Sequence, residues 1–233
     1  SNGGKDLYVS FRQPDSTWTE PQNLGDEVNS IGHEATPFIA SDNSSLYFAS
    51  DGLGGFGAFD VFVTRRLDST WTKWSEPENL GPTINTTGWD PYYTIPASGD
   101  YAYYVSYTDT YGAGDIFRIR LPESMRPRPV VLVTGRVLNK KTGEPIEADI
   151  AYELLRTGQE LGIARSTPTT GTYKIVLPAG ERYGFRASSP GFISVNENMD
   201  LSAIKEYTQI HRDLYLVPIE EGSIVQLNNI FFD

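Results

Sequence analysis

The sequence predicts an all-β chain: a partial β-propeller of about two to two and a half four-stranded blades, followed by a β-sandwich. Three observations predict it. A motif recurs after about 55 residues in the first half, prolines break the pattern near residue 125, and period-two alternation of apolar and polar residues follows.

The repeat is explicit. Trp18-Thr19-Glu20-Pro21-Gln22-Asn23-Leu24-Gly25 returns as Trp74-Ser75-Glu76-Pro77-Glu78-Asn79-Leu80-Gly81, a shift of 74 − 18 = 56 residues. Asn29 and Asn85, Gly32 and Gly88, Glu34 and Asp90, Tyr47 and Tyr103, and Ser50 and Ser106 keep that offset. Asp6-Leu7-Tyr8-Val9, Asp60-Val61-Phe62-Val63 and Asp115-Ile116-Phe117-Arg118 follow at spacings of 54 and 55, as small changes in loop length produce.

Each unit reads as four short strands, in the middle unit Ala35 to Ser41, Leu46 to Ser50, Phe59 to Arg65 and Trp71 to Glu76. Asp42-Asn43-Ser44-Ser45 suits a hairpin turn, and the glycines of Asp51 to Gly57 supply the backbone freedom of a longer loop. Leu46-Tyr47-Phe48-Ala49 and Tyr103-Tyr104-Val105 are apolar throughout, which predicts cover on both sheet faces. Trp18, Trp71, Trp74 and Trp89 are expected to pack between blades or against turns, a sugar-stacking platform being the other reading. Asp6, Asp60 and Asp115 either fix the preceding turns through backbone N–H groups or, alternatively, ligate Ca²⁺.

The Gly-Xaa-Asp-(Val/Ile)-Phe strand and the preceding Leu-Tyr-Phe-Ala-Ser strand resemble the TolB-like propeller repeat over residues 1–121. The first unit lacks its two inner strands and the third its outermost strand, so the resemblance implies a piece of a larger ring.

Leu121 to Pro129 carries three prolines and is expected to be a linker over 122–129. Beyond it Tyr173, Ile175 and Leu177 share a face, as do Tyr183, Phe185 and Ala187, while Lys174, Arg182 and Arg186 point away. An antiparallel, half-buried sandwich is expected over 130–218. Its strands fall near Val131 to Leu138, Ala148 to Leu154, Ile163 to Ser166, Thr172 to Leu177, Tyr183 to Ser188, Ile193 to Asn196 and His211 to Pro218. The run Val133 to Ile146, with Gly135-Arg136-Val137 leading to Thr142-Gly143-Glu144-Pro145, resembles the opening of the carboxypeptidase regulatory-like, transthyretin-like fold; Gly171-Thr172-Tyr173 and Ser189-Pro190-Gly191-Phe192 fit its later strand and turn. That resemblance implies a spacer or binding module without peptidase chemistry.

Residues 219–233 end in Leu227-Asn228-Asn229-Ile230-Phe231-Phe232-Asp233, which resembles the first strand of an OmpA-like peptidoglycan-binding domain. The module order is similar to that of OmpA-family envelope proteins of Bacteroidetes, and among them to the PorE-like lipoproteins of the type IX secretion system. The resemblance implies a periplasmic location at the outer membrane. It also implies other envelope or secretion-system proteins as partners, and peptidoglycan held through a domain absent from this chain.

A formal charge of −11 disfavours nucleic acid and anionic lipid surfaces, so neither nucleic-acid binding nor direct membrane insertion is expected. No Cys is present, which excludes disulfides, thiolate catalysis and Cys-ligated metals. His33 and His211 fall in different expected domains, away from any Ser-His-Asp or two-His pattern, and no Lys-Ser/Thr follows Gly52 to Gly57 as a phosphate loop needs. No catalytic residue, cofactor or metal is therefore expected.

The candidate partner-binding residues are His33, Glu34, Trp89 and Asp90, at the loops entering the innermost strands, where a propeller gathers its loops around the channel. Glu34 and Asp90 can alternatively cap their local turns. The function expected is a non-catalytic envelope scaffold. The alternatives are a glycan- or peptide-binding module of a surface enzyme and the non-catalytic end of a propeller-bearing peptidase.

Overall fold

The structure, a computed structural model, describes residues 3–13, 15–89, 92–107 and 110–220. It is all-β apart from a single 3₁₀ turn among the described residues, and it divides into two compact units, Ser1–Val130 and Val131–Asp233.

The first unit contains β1 (Tyr8–Val9), β2 (Gln22–Asn23), β3 (Glu34–Ile39), β4 (Ser45–Ser50), β5 (Asp60–Arg65), β6 (Glu78–Asn79), β7 (Tyr101–Ser106) and β8 (Asp115–Arg120). They form three antiparallel sheets: β1-β2, β3-β4-β5-β6 and β7-β8. The middle sheet is buried on both faces. Leu46, Phe48 and Phe62 pack with Leu7, Leu24, Val28 and Trp74 on one side, and Tyr47, Val61 and Val63 pack with Tyr93, Ile95, Ala102 and Leu121 on the other. Removing both faces of an apolar strand from water is the main stabilising contribution here, roughly 1.5–3 kcal/mol per large side chain. This explains why β4 is buried at every residue.

The expectation of two covered faces fails for β7, where Tyr101 and Tyr103 are exposed. No further sheet lies over that side among the described residues. The same difference separates Trp74, 2% exposed, from its repeat counterpart Trp18, 64% exposed: identical motifs are buried only where a neighbouring sheet covers them. Trp18 and Trp89 are thus not interior packing residues.

The fourth strand of the middle sheet is also displaced from its expected place. It lies at Glu78–Asn79, with only a bridge between Arg66 and Trp74 before it, because Pro77 offers no N–H to continue a ladder.

Two buried networks repeat with the sequence. Asn29 Oδ1 accepts the Leu7 N–H (2.7 Å) and its Nδ2 donates to the Leu7 carbonyl (3.0 Å); Asn85 does the same to Val61 at 2.8 and 3.0 Å. Each amide also donates to Asn23 or Asn79, and these donate in turn to Asp6 and Asp60. The Asp60 carboxylate further accepts the Phe56 and Gly57 N–H groups. Of the two roles open to Asp60, turn fixing is the one its neighbours display. Gly55 is required in that turn, since its φ is +148° and a Cβ would stand 1.6 Å from Asp60 Oδ2.

Between β8 and β9 lies the Pro-rich segment 122–129. Glu123–Met125 make the 3₁₀ turn, and the segment lies along the middle sheet. Tyr47 Oη–H donates to the Met125 carbonyl, Arg65 donates to the Arg126 carbonyl, and the Arg128 N–H reaches Asp42 Oδ2 at 2.8 Å. Three prolines suit this path because no ladder is asked of them.

The second unit contains β9 (Val130–Asn139), β10 (Asp149–Leu154), β11 (Gln159–Arg165), β12 (Thr172–Pro178), β13 (Arg182–Ser188), β14 (Phe192–Ile193), β15 (Val195–Asp200), β16 (Thr208–His211) and β17 (Leu214–Pro218). One sheet runs β11-β10-β13-β15; the other runs β12-β9-β17-β14, with β16 also on β9. Side chains from both meet in one core containing Val133, Val137, Ile150, Ile175, Leu177, Tyr183, Phe185, Leu214 and Leu216.

Pairing is not antiparallel throughout: β16 and β17 both run parallel to β9. The chain shifts between these two pairings at Arg212-Asp213, opposite Gly135, where a Cβ would stand 1.8 Å from the Arg212 carbonyl oxygen. Glycine at 135 permits that approach, and the Tyr173 hydroxyl closes it by donating to the same carbonyl at 2.6 Å.

Candidate binding cleft

At one end of the sheets of the first unit lies a cleft of about 460 Å³, lined by Lys5, His33, Ala35, Phe59 and Trp89. Lys5 and Phe59 each precede the aspartate that opens a repeat's Asp-(Leu/Val) strand, and His33 and Trp89 each stand just before Glu34 and Asp90. The cleft is therefore lined by the same two positions of successive repeats.

The supporting contacts repeat too. The Gly4 N–H donates to the Gly32 carbonyl at 2.9 Å and the Ala58 N–H to the Gly88 carbonyl at 3.2 Å, joining each sheet to the loop that enters the next.

What differs is the side-chain chemistry. On the first repeat's side His33 is exposed, and its Nδ1 accepts the Lys5 N–H at 2.9 Å, so in the neutral ring the proton sits on Nε2. Asp51 Oδ1 holds the His33 N–H at 2.6 Å. On the second repeat's side Trp89 meets Phe59 edge-on, with centroids 6.5 Å apart, and lies nearly parallel to Tyr107 at 6.4 Å and 7°. Tyr92 adds a tilted contact at 6.2 Å. Trp89 remains 43% exposed, and Tyr92 and Tyr107 are exposed beside it. A surface aromatic cluster next to a lysine and an imidazole offers flat apolar area and N–H donors to one ligand.

Glu34 does not belong to the contact surface. It is 2% exposed, and its Oε1 accepts from the Ser30 and Ser50 hydroxyls at 2.6 and 2.8 Å. Its place is internal, on two serine hydroxyls. Asp90 lies outside the described residues, as does the strand expected at 224–233. Of the sequence candidates, His33 and Trp89 are brought together. Lys5, Phe59 and Tyr107 were missed, although the residue before each repeated aspartate was available as a signal.

Other depressions lie on the second unit. One of about 350 Å³ is bordered by Tyr152, Glu153, Arg186 and Asn198. Another of about 630 Å³ includes Asp149 and Arg165, which pair with each other at 2.8 Å. Neither presents an exposed aromatic cluster comparable to that at Trp89. No group of three or more potential metal-ligating side chains is found among the described residues.

No family model matches the chain, and no curated protein matches it. Solved structures with some similarity include hydroxyquinol 1,2-dioxygenase from Pseudomonas putida DLL-E4 (12% identity, 40% of this chain and 58% of that one, TM-score 0.31). A mutant catechol 1,2-dioxygenase from Acinetobacter radioresistens gives 11% identity over 44% and 56%, with a TM-score of 0.32. The Bacillus anthracis TIE protein gives 8% identity over 92% and 41%, with a TM-score of 0.35. The chain thus spans 41 to 58% of the length of these proteins. At such scores the likeness transfers no chemistry to this chain.

Proposed function

We propose that the chain is a non-catalytic interaction fragment that engages a partner at the Trp89–His33 cleft. The observation that carries this reading is the placement of exposed Trp89, with Tyr92 and Tyr107 against it, in one cleft with Lys5 and His33, where two successive repeats contribute equivalent positions. A scaffold needs surface and rigidity, and the asparagine networks supply the latter by tying each repeat's outer segment to its neighbouring strand.

In this reading the first unit is a piece of a TolB-like β-propeller, and the second a carboxypeptidase regulatory-like sandwich. The whole protein is a periplasmic component attached to the outer membrane, of the OmpA-family kind associated with type IX secretion, and its partner is another envelope protein. The test is co-purification of the full-length protein from the envelope, compared with Trp89→Ala and Lys5→Glu variants. A partner retained by the parent and lost by both variants supports the reading; retention by both counts against it. Sedimentation of the full-length protein with peptidoglycan tests the anchoring part separately.

A second reading, a glycan-binding module, is favoured by the near-parallel exposed rings of Trp89 and Tyr107, which could stack on a sugar. A glycan array distinguishes it from protein binding.

A further inference from the structure

The two equivalent strands β5 and β8 differ in what lies along their outer edges. β5, Asp-Val-Phe-Val-Thr-Arg, pairs β6 with Phe62 opposite Asn79 and Val63 opposite Glu78, and Asn79 Nδ2 donates to Asp60 at 2.9 Å. β8, Asp-Ile-Phe-Arg-Ile-Arg, pairs β7 along its whole length but has no strand on its other edge among the described residues.

Its turn is nevertheless built like that of β5. Asp115 Oδ2 accepts the Tyr111 N–H at 2.8 Å, just as Asp60 Oδ2 accepts the Phe56 N–H. The edge thus keeps the aspartate that an asparagine on an outer strand addresses. One substitution makes it more selective: Arg118 stands where β5 has Val63, so an acid at the Glu78 position would face a guanidinium. Arg118 is exposed and lies over the Tyr101 ring at 4.8 Å.

We propose that the outer edge of β8 is a strand-acceptor site for an extended acidic partner segment containing Glu-Asn. The glutamate lies opposite Arg118, and the asparagine lies opposite Phe117 with its amide on Asp115. The repeat supplies the register, because Glu78-Asn79 fills the same place on β5. Charge complementarity supplies the discrimination, with Arg118 and Arg120 alternating along a strand whose occupant bears acids. Backbone N–H and C=O groups along a bare edge bind any compatible strand, so these side chains set which one is accepted. This inference is independent of the Trp89 cleft.

The test uses a fluorescein-labelled peptide with the sequence of residues 73–86, titrated with the whole chain by fluorescence anisotropy. Saturable binding is expected, weakened about tenfold or more by Arg118→Glu in the protein or Glu78→Lys in the peptide, and largely regained when both changes are combined. Asp115→Ala should weaken the parent peptide but have little effect on a peptide carrying Asn79→Leu. An unchanged tryptophan-fluorescence unfolding midpoint would verify that the variants remain folded. No binding up to about 1 mM peptide, or binding insensitive to the charge swap, overturns the proposal. Concentration-dependent dimerisation of the chain abolished by Arg118→Glu would assign the edge to a second copy and overturn it likewise.

Discussion

His33 and Trp89 occupy the same place in two successive repeats, 89 − 33 = 56 residues apart, and line one cleft. Each follows the glycine whose carbonyl accepts an N–H from the preceding sheet, so repeat geometry delivers both side chains to the same end of the unit. Their difference in chemistry, imidazole against indole, gives the two sides of the cleft unlike surfaces.

Truncating Trp89 should therefore affect binding without affecting folding. Trp89→Ala removes exposed aromatic area and is expected to change unit stability by less than about 1 kcal/mol while weakening partner binding about tenfold or more. Glu34 should behave oppositely. Glu34→Ala leaves the Ser30 and Ser50 hydroxyls without their acceptor and should cost about 1–3 kcal/mol, whereas Glu34→Gln should keep partner affinity within about twofold. Urea unfolding and isothermal titration of the same samples check both.

The asparagine clamps predict a local effect. Asn85→Ala leaves the Val61 N–H unpaired in a buried position while its C=O keeps the Leu80 N–H, with an expected loss of about 1–3 kcal/mol, and Asn29→Ala does the same at Leu7, whose C=O keeps the Leu24 N–H. All four tryptophans lie between residues 18 and 89, so their fluorescence reports the first unit alone. Amide exchange should quicken most at Val61 in one variant and at Leu7 in the other; equal effects at both sites in each variant would contradict separate clamps.

Asp42 predicts acid sensitivity. Burial opposes its charged form, but hydrogen bonds from Ser45 Oγ–H and the N–H groups of Ser44, Ser45 and Arg128 outweigh that cost and hold its carboxyl below the ordinary value. A carboxyl depressed in the folded state contributes stability that is fully present above its unfolded value of about 3.9 and is lost as pH falls through the folded value. The urea midpoint of the parent should exceed that of Asp42→Asn at pH 6, with the gap narrowing below about pH 4. A gap independent of pH would rule out this linkage.

Much of this was legible in residues. The repeat located three of the four strands of the middle sheet, and the alternation at Tyr173, Ile175 and Leu177 gave the buried face, because both are short-range patterns. Parallel pairing of β16 and β17 with β9 was not legible, since pairing partners are set by how the whole unit packs. Nor was the contrast between Trp18 and Trp74: one motif cannot reveal which copy has a sheet over it. For the cleft, His33 and Trp89 were readable as loop-entry residues. Lys5 and Phe59 were not, because only the folded chain brings the start of each Asp-led strand against the loop that enters the next sheet.

In the second unit, Gly135→Ala places a methyl against the Arg212 carbonyl and should cost about 1–3 kcal/mol by forcing β9 from β16 and β17. Amide spectra should show shifts concentrated at residues 131–139 and 208–217. Shifts spread evenly over both units would point to another cause.

The binding role of the cleft is tested most directly by a photo-crosslinking residue at position 89, irradiated in intact cells beside a control with the same residue at exposed position 174. Discrete adducts at 89 that are absent at 174, and that disappear on adding Lys5→Glu, are predicted. No adduct at 89, or the same adducts from both positions, would contradict it.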